Sequence, residues 1–581
     1  MATHRSLRLG AARRNTLTAC LAVALTAGGA VAGSGSRATD ARTPSAPMHP
    51  AGNIIPVTSC DDDAPGGLRE AFAIAQDGNE INLSGATSCS NISLDSGAIV
   101  VTVPNLSVVG PGQDLLTING NDADRVFFSQ HGLTITDLTI ANGRAANGLG
   151  GCIALFAGDL TLTRSTVTGC SVGDSSNLES LGGGVSVPGN LMMQSSTISN
   201  SSVAASGRAY GGGAYVSGTA TLFDSMIEGN SATSALDNAR GGGLFAQGDV
   251  ILSRTRVLDN AVTSTDDAAL GGGLFTLADV QVGVSTISGN TAHSETAWSR
   301  GGGIQSGIPG SPTLIELTVS TLSGNTASAN CADCSIMGGG ASAFGQIIAL
   351  YSAIHDNNIL LAPSSVGKAS GGGLATYVSG SGGSIVLANS TVSGNSAIGG
   401  ENGGYGRGGG IAAIADSPFI AINSTIAFND ASHFGGGAIG SDAGGAAPQM
   451  FSTIVANNQA PFGADLAPIE LFTGFTINGS NNLVMEATAN ITLPLDTLDD
   501  DPILLPFAPE NGGLTATHAL GIGSPAIDAG INENDLTYDQ RHCPYVRESN
   551  GAADIGAFEL QAEPPNHIFG HGFDSGAQTC T

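Results

Sequence analysis

Basic residues are scarce in this chain. Its 581 residues carry 19 Lys and Arg against 48 Asp and Glu, a formal charge of −29, and Lys368 is the one lysine. A nucleic-acid surface needs a basic stripe, so that class of function is excluded, and adsorption to anionic lipid is disfavoured. Aromatic residues make up 5% of the chain, with Trp298 the single tryptophan. The core must therefore be assembled from small aliphatic side chains, which suits a narrow coil. Beyond the first 32 residues no segment reaches the ~18 uninterrupted apolar residues of a membrane-spanning helix. Glycine, at 86 residues, is too dense for long helices.

That glycine is periodic. Three-glycine blocks open at Gly182, Gly211, Gly241, Gly271, Gly301, Gly338, Gly371, Gly408 and Gly435. A Ser-Thr-x-x-x-Asn signature follows, as in Ser285 to Asn290 and Ser390 to Asn395, with the Asn 19 residues after the first Gly in the blocks at 211, 241, 271 and 338. Such a period means one supersecondary unit stacked on copies of itself. Within a unit the apolar residues alternate, as from Val250 to Val257, which is the period of strands. The expected fold is all-β: a right-handed parallel β-helix, or solenoid. A short capping helix near Gly67–Gln76 precedes it, and an irregular C-terminal module follows.

Columns sharpen this. Three residues before the Asn position stand Val167, Ile198, Ile227, Val257, Ile287, Leu322, Ile354, Val392, Ile426 and Ile454, an inward aliphatic stack. Five before it stand Ser165, Ser196, Ser225, Thr255, Ser285, Ser320, Ser352, Ser390, Ser424 and Ser452. The position itself holds Asn230, Asn260, Asn290, Asn325, Asn357, Asn395, Asn429 and Asn457, after Cys170 and Ser201 in the first two coils. These asparagines read as a structural ladder, bonded to one another and to the turn backbone.

The first 32 residues read as a secretory signal: Arg5, Arg8, Arg13 and Arg14 precede an apolar stretch from Leu17 to Val31, and Ala30-Val31-Ala32 is a cleavage site. Residues 33–52 form a linker expected to be disordered. The β-helix takes residues 53–485, a C-terminal module 486–562 and a tail 563–581. Eight cysteines remain after cleavage, an even count that favours disulfides in an exported protein. Cys152 and Cys170 replace Gly and Asn in columns flanking one corner, which places them within bonding reach. Cys60–Cys89, Cys331–Cys334 and Cys543–Cys580 are the other expected pairs.

Residues 66–75, G-G-L-R-E-A-F-A-I-A, resemble the LREA-type cap that opens many bacterial secreted β-helix proteins. The repeat resembles that of polymorphic outer-membrane proteins, with Val, Ile or Leu where that pattern has Phe. Ser524 to Gly530, then Asp539-Gln540-Arg541, Arg547, Gly551 and Asp554 to Glu559, resemble the choice-of-anchor Q module, with His542 in place of its usual Gly. Ile568 to Asp574 is similar to short tails of proteobacterial exported proteins. These resemblances imply a secreted or surface-attached parallel β-helix, for the most part without known activity.

A lyase of this architecture needs clustered carboxylates and a nearby Arg or Lys base. Here the acids of the coils, Asp237, Asp266, Asp267, Glu295, Asp333 and Glu401, are scattered in loops. No catalytic residue, metal site or cofactor is assigned. Arg240, Arg300 and Arg407 directly precede Gly blocks and read as offsetting acidic loops. Asp539, Arg541, Arg547 and Asp554 are expected to pair within a module packed on the end of the rod. The segments 231–240, 261–270, 291–300, 326–337, 358–370 and 396–407 are expected as stacked loops on one side, the interaction surface. In them Trp298 and Tyr405 are the candidate ligand-binding residues. The expectation is a monomeric, non-enzymatic, adhesin-like scaffold on the outer membrane or outside a Gram-negative cell, binding a glycan or a surface protein. The alternative is a polysaccharide-active enzyme, a lyase or glycoside hydrolase of the pectate-lyase-like fold.

Overall fold

A computed structural model describes residues 52–562, apart from 87, 147, 175–177, 379–382, 416, 441–446 and 469–473. The stretch read as a secretory signal, the expected linker except Gly52, and the expected tail lie outside the described residues. The chain is a parallel β-helix of about 14 turns. In a representative coil, Ala220–Phe223 belongs to a first sheet of fifteen strands and Met226–Glu228 to a second of fourteen. Leu244–Ala246 belongs to a third of thirteen. These three sheets enclose the main core. Their inward residues, such as Leu222, Ile227, Val257, Ile287 and Leu274, are buried.

The segments expected to be loops are strands. Between the second and third sheets the chain runs outward as Ser231–Ser234 and returns as Ala239–Arg240, and successive coils build sheets of ten and eight strands. Together they form a fin with its own narrow core of Ala232, Ala239, Val262, Ala269 and Ala292. Alanine and serine at these inward positions let the two sheets lie close, and they also explain the misreading. Such short, weakly apolar strands carry little periodic signal, and only the turns at the fin tip are loops.

The three-glycine block is where fin and core meet. Gly241 has φ +63°, the left-handed region open to glycine, and a Cβ there would strike the Leu244 carbonyl. A Cβ on Gly243 would meet the Gly273 oxygen at 2.8 Å and the Asn260 side chain at 2.9 Å. Backbone from the next coil and the asparagine ladder leave no room for a side chain there.

The ladder itself is continuous and polar in one direction. Asn230 Nδ2 donates to Asn260 Oδ1 at 2.9 Å and Asn260 to Asn290 at 3.0 Å, and the chain of bonds runs on through Asn325, Asn357, Asn395 and Asn429. Each backbone amide donates to the same oxygen of the following coil, as Asn260 does to Asn290 at 3.0 Å. A parallel ladder links the hydroxyl column, with Ser196 N on Ser225 Oγ and Thr255 N on Ser285 Oγ. The last coil departs from expectation. Asn429 bonds to Asn458, not Asn457, which turns the corner at φ +59°. The register there is shifted by one residue, so Thr453 and Val455 take the places assigned to Ser452 and Ile454. Ile454 points outward, and the ladder ends on Asp465, whose Oδ1 accepts from Asn458 Nδ2 at 2.8 Å.

At the N-terminal end the helix Leu68–Ile74 buries Leu68 and Ala71 against the first coils and sets Phe72 beside Phe127. Cys60 and Cys89 are joined nearby. Cys152 and Cys170 are joined at a Cα separation of 5.4 Å, the same place where Gly243 touches Asn260 two coils on from the first complete glycine block. Cys331–Cys334 closes a fin turn, and Cys543 is disulfide-bonded, while Cys580 lies outside the described residues. Among the described residues no helix is long and apolar enough to cross a membrane.

The C-terminal segment does not sit on the rod's end. The last partial coil continues to Leu498, which bridges Leu483, and the chain then folds back along the outer face of the second sheet. Asn389 Nδ2 donates to Tyr538 O at 2.7 Å, Thr391 Oγ1 to Gln540 Oε1 at 2.5 Å, and Ala557 N to Thr425 Oγ1 at 3.0 Å. The outward Ile454 packs there with Ala526, Ile555 and Phe558. That contact is the physical reason for the register shift: a one-residue slip turns an aliphatic side chain toward the segment that covers it.

Candidate functional site

Two outward-facing columns meet in the angle between fin and rod. One runs along the eight-stranded fin sheet through Tyr210, Arg240, Leu270, Arg300, Met337, Ser370 and Arg407. The other runs along the third sheet through Tyr215, Phe245, Phe275, Gln305 and Ser342. Strand alternation puts both columns on the side facing the angle, because their neighbours, such as Ala239 and Ala269, fill the fin core. The rings interleave: Tyr210 stacks on Phe245 at 4.8 Å, Tyr215 on Phe245 at 5.2 Å and Phe245 on Phe275 at 5.3 Å.

Arg240 and Arg300 do not offset acidic loops. Arg240 lies over Tyr210 and Phe275, at 5.4 and 5.0 Å from the ring centroids, and Arg300 over Trp298 and Phe344, at 4.5 and 4.9 Å. Among the described residues neither guanidinium has an ion-pair partner, and the Nε of each is buried without a hydrogen bond. Burial pushes Arg300 down to about 10, with Tyr377 pulling the other way. It stays charged at neutral pH. Beside it Gln305 is 1% exposed and its Oε1 has no partner. Arg407, lower in the same column, donates from Nε to Ser370 Oγ at 2.9 Å.

Trp298 and Tyr405, the residues singled out from sequence, both stand at the outer edge of this fin sheet. Register places them in one column with Ser335 and Lys368 between, three coils or about 14 Å apart. Trp298 is 39% and Tyr405 41% exposed. Tyr405 meets His433 edge-on at 4.8 Å. Tyr377, 44% exposed and edge-on to Phe344, completes the open face around Arg300 and was missed. Its only sequence signal was an aromatic at the fourth place of an unusually long third-sheet strand, Leu374–Val378. The whole seam was hidden for a similar reason, since its two walls come from residues in different strands of each coil.

The other cluster of charges holds the C-terminal segment together. Arg541 pairs with Asp539 at 2.6 Å and lies between Tyr545 and Phe558, at 3.9 and 3.8 Å from the ring centroids. Arg547 is wholly buried, 3.9 Å from Glu559, and donates to the Asp554 carbonyl. Burial raises Glu559 to about 8 against the pull of Arg547. The groups are closed to solvent and turned on their own loops.

No family model and no curated protein matches the chain. Among solved structures it is similar to pectate lyase Pel9A, with 12% identity and a TM-score of 0.25 over 88% of this chain and 96% of that one. A likeness at this level does not extend to chemistry.

Proposed function

We propose that this chain is an exported β-helix scaffold that binds a glycan along the seam between fin and rod, outside the cell or on its surface. One observation carries the reading. Exposed flat rings of Trp298 and Tyr377 flank an unpaired, half-buried guanidinium on a rigid sheet. Aromatic faces take the apolar side of a sugar ring, and guanidinium nitrogens take its oxygens. The N-terminal basic and apolar stretch supports export. The resemblances to the LREA-type cap, the polymorphic outer-membrane-protein repeat and the choice-of-anchor Q module support a surface destination. Incubation of the purified protein with a glycan panel, following both retention and product release, tests the reading. Retained glycan with no new reducing or unsaturated ends is the expected result. Released product would turn the reading to a polysaccharide-active enzyme, and Trp298→Ala with unaltered affinity would move the site off the seam.

A further inference from the structure

Resting on that reading, we infer that the seam takes an acidic glycan, its carboxylates received by Arg240 and Arg300 while the chain lies parallel to the rod axis. The distribution of charge points there. The molecule carries −29 overall, yet Arg240, Arg300 and Lys368 stand on the outward face of one eight-stranded sheet, downstream of Arg208, which is paired with Asp237 at 3.4 Å. From the coil of Arg240 to that of Arg407, neither wall of the seam has a carboxylate in its columns. Of the nearby turn acids, Asp237 is paired with Arg208 at 3.4 Å, and Asp267 is turned back on its own loop, accepting from the Ala268 amide at 2.7 Å. Fixed repulsion beyond the seam is screened over roughly 8 Å at physiological salt, so the local charge decides what docks.

Geometry narrows the ligand further. Arg240 and Arg300 occupy one column two coils apart, about 9.6 Å along the axis, comparable with a disaccharide in an extended chain. Each guanidinium is held flat by rings and lacks an anion, which leaves its terminal nitrogens as a preformed fork for a carboxylate. The rings fix the fork in advance, so little side-chain entropy is lost on binding. A neutral glycan would leave the positive strip without a counter-charge.

The test compares glucuronate, mannuronate and galacturonate oligomers with their carboxyl-reduced counterparts by calorimetry, on the full chain. At least one acidic oligomer should bind, with its reduced form about tenfold weaker or more. Arg300→Gln and Arg240→Gln should each remove most of that preference at unchanged thermal midpoint, and Arg300→Lys should keep part of it. Trp298→Ala should weaken acidic and reduced forms alike. Reduced oligomers binding as well as acidic ones, with Arg300→Gln silent, would overturn the acidic assignment and leave the seam as a neutral glycan site. Binding of neither form, or binding indifferent to Trp298→Ala and Tyr377→Ala together, would overturn the seam reading itself.

Discussion

Asp465 is the residue on which the asparagine ladder ends. It offers a carboxylate where each coil from Asn230 onward offers an amide, and it needs no donor because no further rung follows. Burial raises its pKa to about 6, while bonds from Asn458 and the Glu486 amide hold it back. A folded value above the unfolded 3.8 means the group stabilises the fold fully below about pH 4, and this is lost as pH rises through 6. The difference amounts to about 3 kcal/mol between pH 4 and 7. Glu559 contributes in an overlapping window, so the measurement is the difference between wild type and Asp465→Asn in denaturant titrations. That difference should shrink by most of this amount from pH 7 to pH 4, and a constant offset would show that Asp465 does not titrate there. Within the ladder, Asn290→Ala would leave the Asn260 amide and the Val257 carbonyl without their partners. A loss of roughly 2–5 kcal/mol is expected, read from the denaturation midpoint.

At the scale of elements, the three core sheets were legible and the fin was not. The Ile and Val column, the hydroxyl column and the glycine blocks each repeat one residue type in one place, so a single coil predicts its neighbours. Fin strands hold two to four residues and are rich in Ala, Ser and Thr, and little in such a stretch separates a strand from a loop. Cys152 and Cys170 were readable because they substitute in two known columns that touch. Asn457 was not, because Asn457-Asn458 is a doublet and only packing selects between its members. The selection comes from the C-terminal segment, whose cover for Ile454 has no counterpart in the repeat. Asn458→Ala should therefore cost roughly 2–4 kcal/mol, like any other rung, whereas Asn457→Gly should be neutral or slightly stabilising at its φ of +59°. Equal costs at the two positions would contradict the shifted register.

Over the whole molecule, contacts pass from coil to neighbouring coil, and the three disulfides with both cysteines among the described residues span only 29, 18 and 3 residues. A rod of this kind, roughly 60–65 Å along its stack of 14 coils, has a stability built from coil and interface contributions rather than from one central core. The two ends are reinforced by different means. The first coils have the helix Leu68–Ile74 and two cross-links, while the last five have the C-terminal segment laid across them from Tyr351 to Asn481. The seam around Arg240 and Arg300 lies between these reinforcements and touches neither. Truncation after Asp501 should thus loosen one end without disturbing the site. Amide exchange should quicken in the second-sheet strands from Ala353–His355 to Leu483–Val484, now bare on their outer face, and stay slow from Met226–Glu228 to Thr286–Ser288. Glycan affinity at the seam should persist in the same preparation. Uniform acceleration along the rod would mean that the solenoid unfolds as one cooperative body, with the C-terminal segment holding all of it.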